Sequence, residues 1–524
     1  MVEPPQKIGS LRRVSIVSDR TPAAIVRLME RLRAEVPALV VSSIMRVAGD
    51  EAGEADAPRG SRADAILLRF LHACPRPIAQ ANFDEVALSD VCEKADIRLF
   101  MTRNPNTAEI NAFLKLKGAE VIVVYGGLEP NELKEICESQ AAVLAAAATF
   151  QPSNAQTIDL HVICHQPAMR PWIAARQSLA IEPYDTAISL RLKMDLIARD
   201  LLIQAAAALA SGRAPNDMPV AAEGDPSQAL PRRIHHQQLK SFPVWRQREV
   251  WKLLLRTLVL GPFICLRNWY RRITGRFPIV ILYHHLVSDR PHRMGIPTEE
   301  FLRHIRFLKR YYSITSLAKA VDALRSGRVT RPTVVLTFDD GYRDNFTCLR
   351  AVTDEERIPA TLFVCTEHLR SLKEFAHDVN RGELGFPPMD WEQVKTLQRC
   401  GLEIGSHTRT HFDCGSTDAQ ALRVEIAGSK EDLQREITGT IDFFAFPWGN
   451  PQNMSGPAIN LAQETYRCIL SAFGGANLPA LGADFSHLKR RCHANDLWEL
   501  ELTLQGALEF ERSDGPAGAE QRFA

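Results

Sequence analysis

The 524-residue sequence has no dominant charge, because 63 Lys and Arg residues oppose 62 Asp and Glu residues. A strongly basic nucleic-acid-binding surface is therefore not indicated, and no nucleic-acid partner is expected. The eleven cysteines contain no C-x-x-C pair, which argues against a disulfide framework and a structural zinc ribbon. Hydrophobic residues make up 45% and charged residues 24%, as in ordinary globular proteins.

Long apolar runs are also scarce. The first twenty residues lack the apolar core of a secretion signal, so we expect a cytoplasmic protein, with association at the inner membrane as a further option. The most apolar segment, 251–272, is interrupted by Arg256, Gly261 and Pro262 and is too short for a span of ~20 apolar residues. Its basic and aromatic ends fit an interfacial helix with peripheral membrane contact, and a buried interdomain helix is the equal alternative.

Alternating strand and helix patterns predict an α/β fold with two domains. Residues 1–220 predict a doubly wound domain with parallel strands, and residues 277–510 a distorted (β/α) barrel. Residues 221–276 are interpreted as a linker that includes the apolar and basic helix, and residues 511–524 as a disordered tail. The predicted strands of the second domain are PIVILYH, TVVLTF, ATLFVC, LEIGSH and DFFAFPWG.

Three motifs follow strands of the second domain. TFDDG contains Asp339 and Asp340, SHTRTH contains His407 and His411, and AFPWG ends at Gly449. In a parallel barrel the carboxyl ends of the strands meet at one face, so these motifs are expected to converge. One aspartate with two histidines is a ligand set that suits Zn²⁺, with Co²⁺ or Mn²⁺ as alternatives. The second aspartate is then free to accept a proton from water.

Together with YHHLV and PATLFV, these motifs resemble the NodB-homology polysaccharide deacetylases over residues 277–508. The resemblance implies that Asp340, His407 and His411 bind the metal ion. It also implies that Asp339 is the general base for attack of water on an N-acyl carbonyl.

Two departures from the family pattern concern the base and the acid. Many members carry an arginine that orients the base two residues before the proline of AFPWG, but this chain has Ala445 there. The late histidine of the family, which protonates the leaving amine, corresponds to His487 or His493, and we favour His493.

The substrate is expected to contact Pro447, Trp448 and Gly449. Trp391 and Trp448 are interpreted as rings that stack on a sugar, although packing against helices is the common role of a lone tryptophan such as Trp391.

The first domain resembles the folate-dependent formyltransferases over residues 11–220, through NPNTAEINAFLKLKGAEVIVVYGG and EPYDTAISL. That family uses an Asn-x-His pair and a later Asp, and the corresponding positions here are Ala145, Ala147 and Ala168. Methyl groups cannot move protons, so we expect a catalytically inactive domain. His161 and His165 lie nearby but off the expected positions.

The leading hypothesis is therefore a metal-dependent hydrolase that removes an N-acyl group from an amino sugar in a polysaccharide or glycoconjugate pathway. The group is acetyl, with formyl as the alternative. A non-catalytic carbohydrate-binding or regulatory scaffold is the competing hypothesis. The sequence leaves the oligomeric state open.

Overall fold

The computed structural model describes residues 12–18, 20, 22–47, 88–102, 113, 120–125, 136, 141–150, 157–166, 172–211, 247–494 and 497–506. The predicted linker between 221 and 246, the predicted tail 511–524 and Ala168 lie outside these residues. The described residues fall into two compact units, one within 12–211 and the other within 247–506.

The first unit is built on a seven-stranded sheet with the order β3-β2-β1-β4-β5-β6-β7. Its strands are β1 (Arg12–Ser18), β2 (Leu39–Val47), β3 (Arg98–Thr102), β4 (Val121–Tyr125), β5 (Ala142–Phe150), β6 (Thr157–His165) and β7 (Trp172–Ala180). The first five strands are parallel, as predicted, but β6 and β7 pair antiparallel to their neighbours.

Both faces of this sheet are buried at its central strands, which explains why β4 is a continuous apolar run, whereas the edge strand β7 is half-buried to exposed. In β4, Val121 and Val123 belong to one apolar cluster, whereas Ile122 and Val124 belong to a second cluster on the opposite face. The long helix that follows β7 begins at Thr186, whose side chain caps the backbone N–H of Ser189. This cap is the Thr of the DTAISL motif, so the motif marks a helix start.

Helices connect the strands in both units. They are α1 (Pro22–Glu35), α2 (Leu88–Lys94), α3 (Ala187–Ala210), α4 (Gln247–Thr274), α5 (Thr298–Tyr311), α6 (Leu317–Arg325), α7 (Asn345–Arg350), α8 (Thr366–Ser371), α9 (Ala376–Val379), α10 (Trp391–Arg399), α11 (Ala419–Leu422), α12 (Gly428–Glu436), α13 (Gly456–Thr465) and α14 (Leu497–Gln505). Short π-helical turns follow α7 and α11.

The second unit contains a closed barrel of seven parallel strands. Its ten strands are β8 (Ile279–His284), β9 (Leu286–Val287), β10 (Gly295–Ile296), β11 (Ser313–Ile314), β12 (Thr333–Phe338), β13 (Thr361–Val364), β14 (Glu403–Ser406), β15 (Phe443–Ala445), β16 (Cys468–Gly474) and β17 (His487–Cys492). The ring runs from β12 through β17 to β8, and β8 closes it by pairing with β12. This closure confirms the predicted barrel.

The seam of the barrel lies at β8, the first of its strands in sequence. β8 pairs with β12 over six residues, from Ile279 opposite Thr333 to His284 opposite Phe338, and it pairs with β17 on its other side. Strands β16 and β17 were not among the five predicted strands. β17 reads as polar because it contains Lys489, Arg490 and Arg491, yet both arginines are buried.

The predicted apolar segment forms the helix α4, which is longer than expected and contains Pro262. Within its described part, Phe263, Leu266, Tyr270 and Ile273 are more than half exposed. Their spacing of three and four residues places them on one helical face. None of the helices in the residues that the structure describes combines the length and apolar character needed to span a bilayer.

Cysteines are mostly isolated in the described parts of the chain. Eight of them are free thiols, and Cys265 in α4 is disulfide-bonded. The expectation of no disulfide framework therefore needs one exception.

Candidate metal centre and active site

Polar residues gather at the carboxyl ends of the barrel strands. Asp339 and Asp340 follow β12, His407 follows β14, and His285 follows β8. In a parallel barrel these ends form one face, so the topology brings together side chains that are far apart in sequence.

Asp340, His407 and His411 form a compact group of potential metal ligands. The Asp340 Oδ1 atom lies 3.4 Å from His407 Nε2 and 3.3 Å from His411 Nε2. Two ligands of a tetrahedral Zn²⁺ ion, each about 2.0–2.1 Å from it, are roughly 3.3 Å apart. The spacing of the three side chains therefore fits a shared ion.

The protonation of His407 also suits a metal ligand. Its Nδ1 atom lies 2.7 Å from the carbonyl oxygen of Ala445, a partner to which the ring can only donate. The ring therefore carries a proton on Nδ1, and its Nε2 atom faces Asp340, where it is available to a metal ion.

Asp340 is fully buried, and neither carboxylate oxygen has a hydrogen-bond partner among the described residues. Burial would raise the pKa of Asp340, but the neighbouring His411 and His407 hold it well below its ordinary value. A buried, ionised carboxylate without hydrogen-bond donors requires a cationic partner, and a divalent metal ion provides one.

The backbone around this group adopts left-handed conformations that side chains rarely occupy. Asp340, His411 and Trp448 have φ values of 69°, 57° and 55°. Gly449 has φ 59°, and a Cβ atom there would lie 2.6 Å from the backbone nitrogen of Ala472. Such conformations cluster at sites where side chains are held in one direction for function.

Asp339 has a different environment from its neighbour. Both of its oxygens accept hydrogen bonds from the buried guanidinium of Arg490, at 2.7 and 2.9 Å. Burial would raise the pKa of Asp339, but Arg490 and His407 lower it below its usual value. Asp339 is thus ionised and oriented beside the metal-ligand group.

Arg490 was missed in the sequence. It was noted only that Ala445 occupies the position where the family carries the arginine that orients the base. Arg490 comes instead from β17, 151 residues after Asp339. Its Nε atom also donates to the carbonyl of Ser471 at 3.1 Å, so the guanidinium is held from two directions. A strand prediction for HLKRRC would have indicated it, since an arginine inside a barrel requires an acidic partner.

Two late histidines, His487 and His493, are the proton donors considered from the sequence. His487 begins β17 and so lies at the amino end of its strand, away from the face that carries Asp340. His493 stacks on His284 at 5.3 Å; burial first, then repulsion from His285 and His304, lowers its pKa to about 3.

His285, which was missed in the sequence, is electrostatically coupled to the site. Burial lowers its pKa, while the charges of Asp340 and Asp339 oppose that shift. His285 follows β8 where β8 pairs with β12, so it lies at the same barrel edge as both aspartates.

The predicted substrate residues follow β15 and begin α10. Trp448 is 44% exposed, and its ring lies 4.4 Å from that of His411. Pro447 and Gly449 are buried on either side of it. Trp391 is half-buried at the start of α10, two residues after Met389, whose backbone N–H donates to Gly341.

The corresponding region of the first unit has no comparable chemistry among its described residues. Ala145 and Ala147 are buried in β5, and Ala147 pairs with His161 in β6. Burial lowers the pKa of both His161 and His165, so each ring is neutral at physiological pH.

The second unit thus combines a parallel barrel, a His–His–Asp group that could hold a metal ion, and a second aspartate paired with an arginine. The family model that matches this unit is that of the polysaccharide deacetylases, over residues 326–465. The second unit is therefore similar to polysaccharide deacetylases over this range.

Similarity to individual proteins is limited to parts of the chain. The Bacillus subtilis protein YxkH, named as a polysaccharide deacetylase, is 25% identical over 172 residues, which are 32% of this chain. The chain spans about half of that relative, 56% of its length.

Two solved structures also align with parts of the chain. Streptococcus pyogenes deacetylase PplD aligns with 44% of this chain and 98% of its own, at 18% identity and a TM-score of 0.37. Phosphoribosylglycinamide formyltransferase from Bacillus halodurans aligns with 38% of this chain and 96% of its own, at 16% identity and a TM-score of 0.25. Because both TM-scores are low, the fold of each unit rests on its own strand order and not on these alignments.

Proposed function

We propose that the protein is a metal-dependent hydrolase that removes an N-acyl group, acetyl or formyl, from an amino sugar of a polysaccharide or glycoconjugate precursor. The observation that carries the proposal is the pairing of Asp339 with Arg490 beside the group of Asp340, His407 and His411. A carbohydrate-binding scaffold has no use for a buried, ionised and oriented second aspartate at such a group.

Asp340, His407 and His411 would hold a divalent ion, with Zn²⁺ proposed and Co²⁺ or Mn²⁺ as alternatives. A bound ion of this kind acts as a Lewis acid toward a carbonyl oxygen. Asp339 accepts the proton of the attacking water, because Arg490 keeps its carboxylate ionised and fixes both oxygens.

The leaving amine must gain a proton, and His285 is our proposed donor. The charges of Asp340 and Asp339 oppose the lowering of the His285 pKa by burial, whereas the pKa of His493, the donor predicted from the sequence, falls to about 3 with no carboxylate to oppose it. His285 therefore holds a proton more readily than His493. His493 stacks on His284, the residue before His285, and would then support the donor.

Trp448 is proposed to stack on the sugar ring, beside His411. Pro447 and Gly449 would fix its loop, and Trp391 is proposed as a second contact to the sugar.

The function is tested by measuring acetate and formate release from N-acyl amino sugars that are free, nucleotide-linked or lipid-linked, with Zn²⁺ or Co²⁺ added. We expect metal-dependent release of one acid from at least one substrate class. Bound amino sugar without release of either acid, at full metal occupancy, would support the scaffold instead.

We also propose that the first unit is a formyltransferase-like domain without formyltransferase activity. Ala145 and Ala147 supply no group that could transfer a proton or stabilise an oxyanion. The full chain carrying Asp339→Asn should therefore transfer no formyl group from a folate donor to an amino sugar. This variant prevents the second unit from removing a product, and formyl transfer above the rate without protein would refute the proposal.

The exposed face of α4 is proposed to contact a membrane peripherally. Phe263, Leu266, Tyr270 and Ile273 form an apolar stripe, and Arg271 and Arg272 follow at the helix end. Apolar residues flanked by cations are typical of helices that lie in the headgroup region of anionic bilayers. This contact would favour a lipid-linked substrate.

Replacing Phe263 and Leu266 with serine should reduce co-sedimentation with anionic vesicles by about tenfold or more, since both side chains leave the bilayer. The matched control is Leu384→Ser, which removes an equally exposed leucine far along the chain from α4. Equal co-sedimentation of the control and the double variant would rule out α4 as the contact.

A further inference from the structure

A buried polar chain connects α9 to the metal-ligand group. The hydroxyl of Tyr342 donates to Asp378 Oδ2 at 2.6 Å and lies 3.0 Å from His377 Nε2. The ring of His377 lies 4.7 Å from that of His411. Tyr342, His377 and Asp378 were not singled out in the sequence.

At the other end of this row of polar side chains, His292 and Arg293 keep Asp378 ionised. Asp378 Oδ1 lies 3.2 Å from His292 Nε2 and 3.5 Å from the guanidinium of Arg293. Glu383 accepts hydrogen bonds from the backbone N–H and the Nε of Arg293, both at 3.0 Å. A carboxylate held this way can only accept hydrogen bonds.

Because His292, Asp378 and Glu383 also lie within ligand distance of one another, a second metal ion is the obvious alternative. The backbone N–H of Met294 donates to His292 Nδ1 at 3.2 Å, so the neutral ring carries its proton on Nε2, the atom that faces the carboxylates. Arg293 already supplies the positive charge. The cluster is therefore an anchor for Asp378 rather than a cation site.

These directions determine the tautomer of His377. Tyr342 has one hydroxyl proton, and Asp378 receives it, so the tyrosine oxygen must accept the proton of His377 Nε2. The Nδ1 atom of His377 is then an unprotonated acceptor, and it makes no hydrogen bond with any described residue. The side chain keeps 14% of its surface exposed, on a ring that contacts His411.

We propose that His377 Nδ1 accepts a hydrogen bond from a ring hydroxyl of the amino sugar whose amide is cleaved, which makes His377 a specificity residue. This inference rests on the proposed function. His377 and Trp448 both contact the ring of His411, so one sugar could stack on Trp448 while its hydroxyl reaches His377. A buried network that fixes one tautomer selects for a hydroxyl donor and against a sugar that lacks it.

The test compares His377→Asn with His377→Gln. Asn retains an acceptor near the Nδ1 position, whereas Gln retains a polar group near the Nε2 position that meets Tyr342. The substrates are an N-acetylglucosamine oligomer and p-nitrophenyl acetate, which has the acyl group but no sugar hydroxyl. We expect His377→Gln to lower kcat/KM for the oligomer by about tenfold. We expect His377→Asn to stay within about threefold of the wild type.

Neither substitution should change the rate with p-nitrophenyl acetate or the metal content. An equal loss on both substrates, or a loss of metal from His377→Gln, would assign His377 to the metal centre and overturn the inference. An unchanged rate for the oligomer with His377→Gln would also overturn it.

Calorimetric binding of the oligomer separates this inference from the proposed function. If the wild type binds the oligomer without releasing acetate, the hydrolase proposal fails, and the tenfold difference is then expected in Kd between the two variants. If the wild type binds no amino sugar at all, both proposals are overturned.

Discussion

Asp339→Asn should lower the rate of acyl release by about 10³-fold or more while the protein still binds its metal ion. Removal of a general base typically costs 10²–10⁴-fold, and the amide of asparagine cannot take a proton from water. Metal binding should persist because Asp340, His407 and His411 keep their own contacts. The measurement is acid release alongside metal content by mass spectrometry.

The adjacent aspartate provides the matched comparison. Asp340→Asn should lose both metal and activity, because it removes the carboxylate that lies between the two histidines. Asp339→Asn should fold with reduced stability, since the amide oxygen still accepts one hydrogen bond from Arg490 and that guanidinium keeps Ser471 and Thr337 as partners. More than a tenth of wild-type activity in Asp339→Asn would show that another group is the base.

Arg490→Met should lower the free energy of unfolding by about 3–5 kcal/mol and also impair catalysis. The substitution leaves the carboxylate of Asp339 buried without its positively charged partner. Removing one member of a buried ion pair typically costs this much. The control is Arg467→Met, which breaks a pair with the exposed Asp322 and should cost less than about 1 kcal/mol. Urea unfolding of the three proteins gives the comparison.

The two effects of Arg490→Met should depend on pH in a defined direction. In the wild type the pKa of Asp339 is depressed, so its pair stabilises the fold above the unfolded pKa of about 3.9 and is lost as pH falls through the lower folded pKa. Without Arg490 the pKa of Asp339 rises, because burial is no longer offset. The destabilisation should therefore shrink at acidic pH, and the acid limb of the activity profile should move to higher pH.

Arg490→Lys distinguishes charge from geometry. Lysine retains the positive charge but cannot make two parallel hydrogen bonds, so we expect most of the stability to return and only part of the activity. If the pH–activity profile of Arg490→Met matched that of the wild type, Arg490 would not be the partner of the base.

The convergence of Asp340 and His407 could be predicted from the sequence, because each follows a strand whose apolar run is easy to read. TVVLTF and LEIGSH end where β12 and β14 end, and the parallel arrangement then brings Asp340 and His407 together. The same logic predicted the barrel. Their prediction requires only local sequence patterns and the rule that the carboxyl ends of parallel barrel strands form one face.

Arg490, His285 and His377 could not be predicted in the same way. Arg490 lies in a strand that is polar by composition, and its partner is 151 residues away. His285 and His284 are adjacent, and only the pairing of β8 decides which ring faces the aspartates. The reversed strands β6 and β7 were missed because strand direction leaves no mark on a short apolar run.

The closure of the barrel by β8 has a consequence for how the chain can be divided. The residues that match the family, 326–465, include β12 to β15 but neither β8 nor β17. Excised alone, that segment would expose unpaired edges on β12 and β15, and unpaired edges promote aggregation. It would also contain Asp339 without Arg490. The smallest autonomous catalytic unit is thus longer than the recognisable motifs, and during synthesis the base acquires its counter-charge only when the last strand emerges and docks.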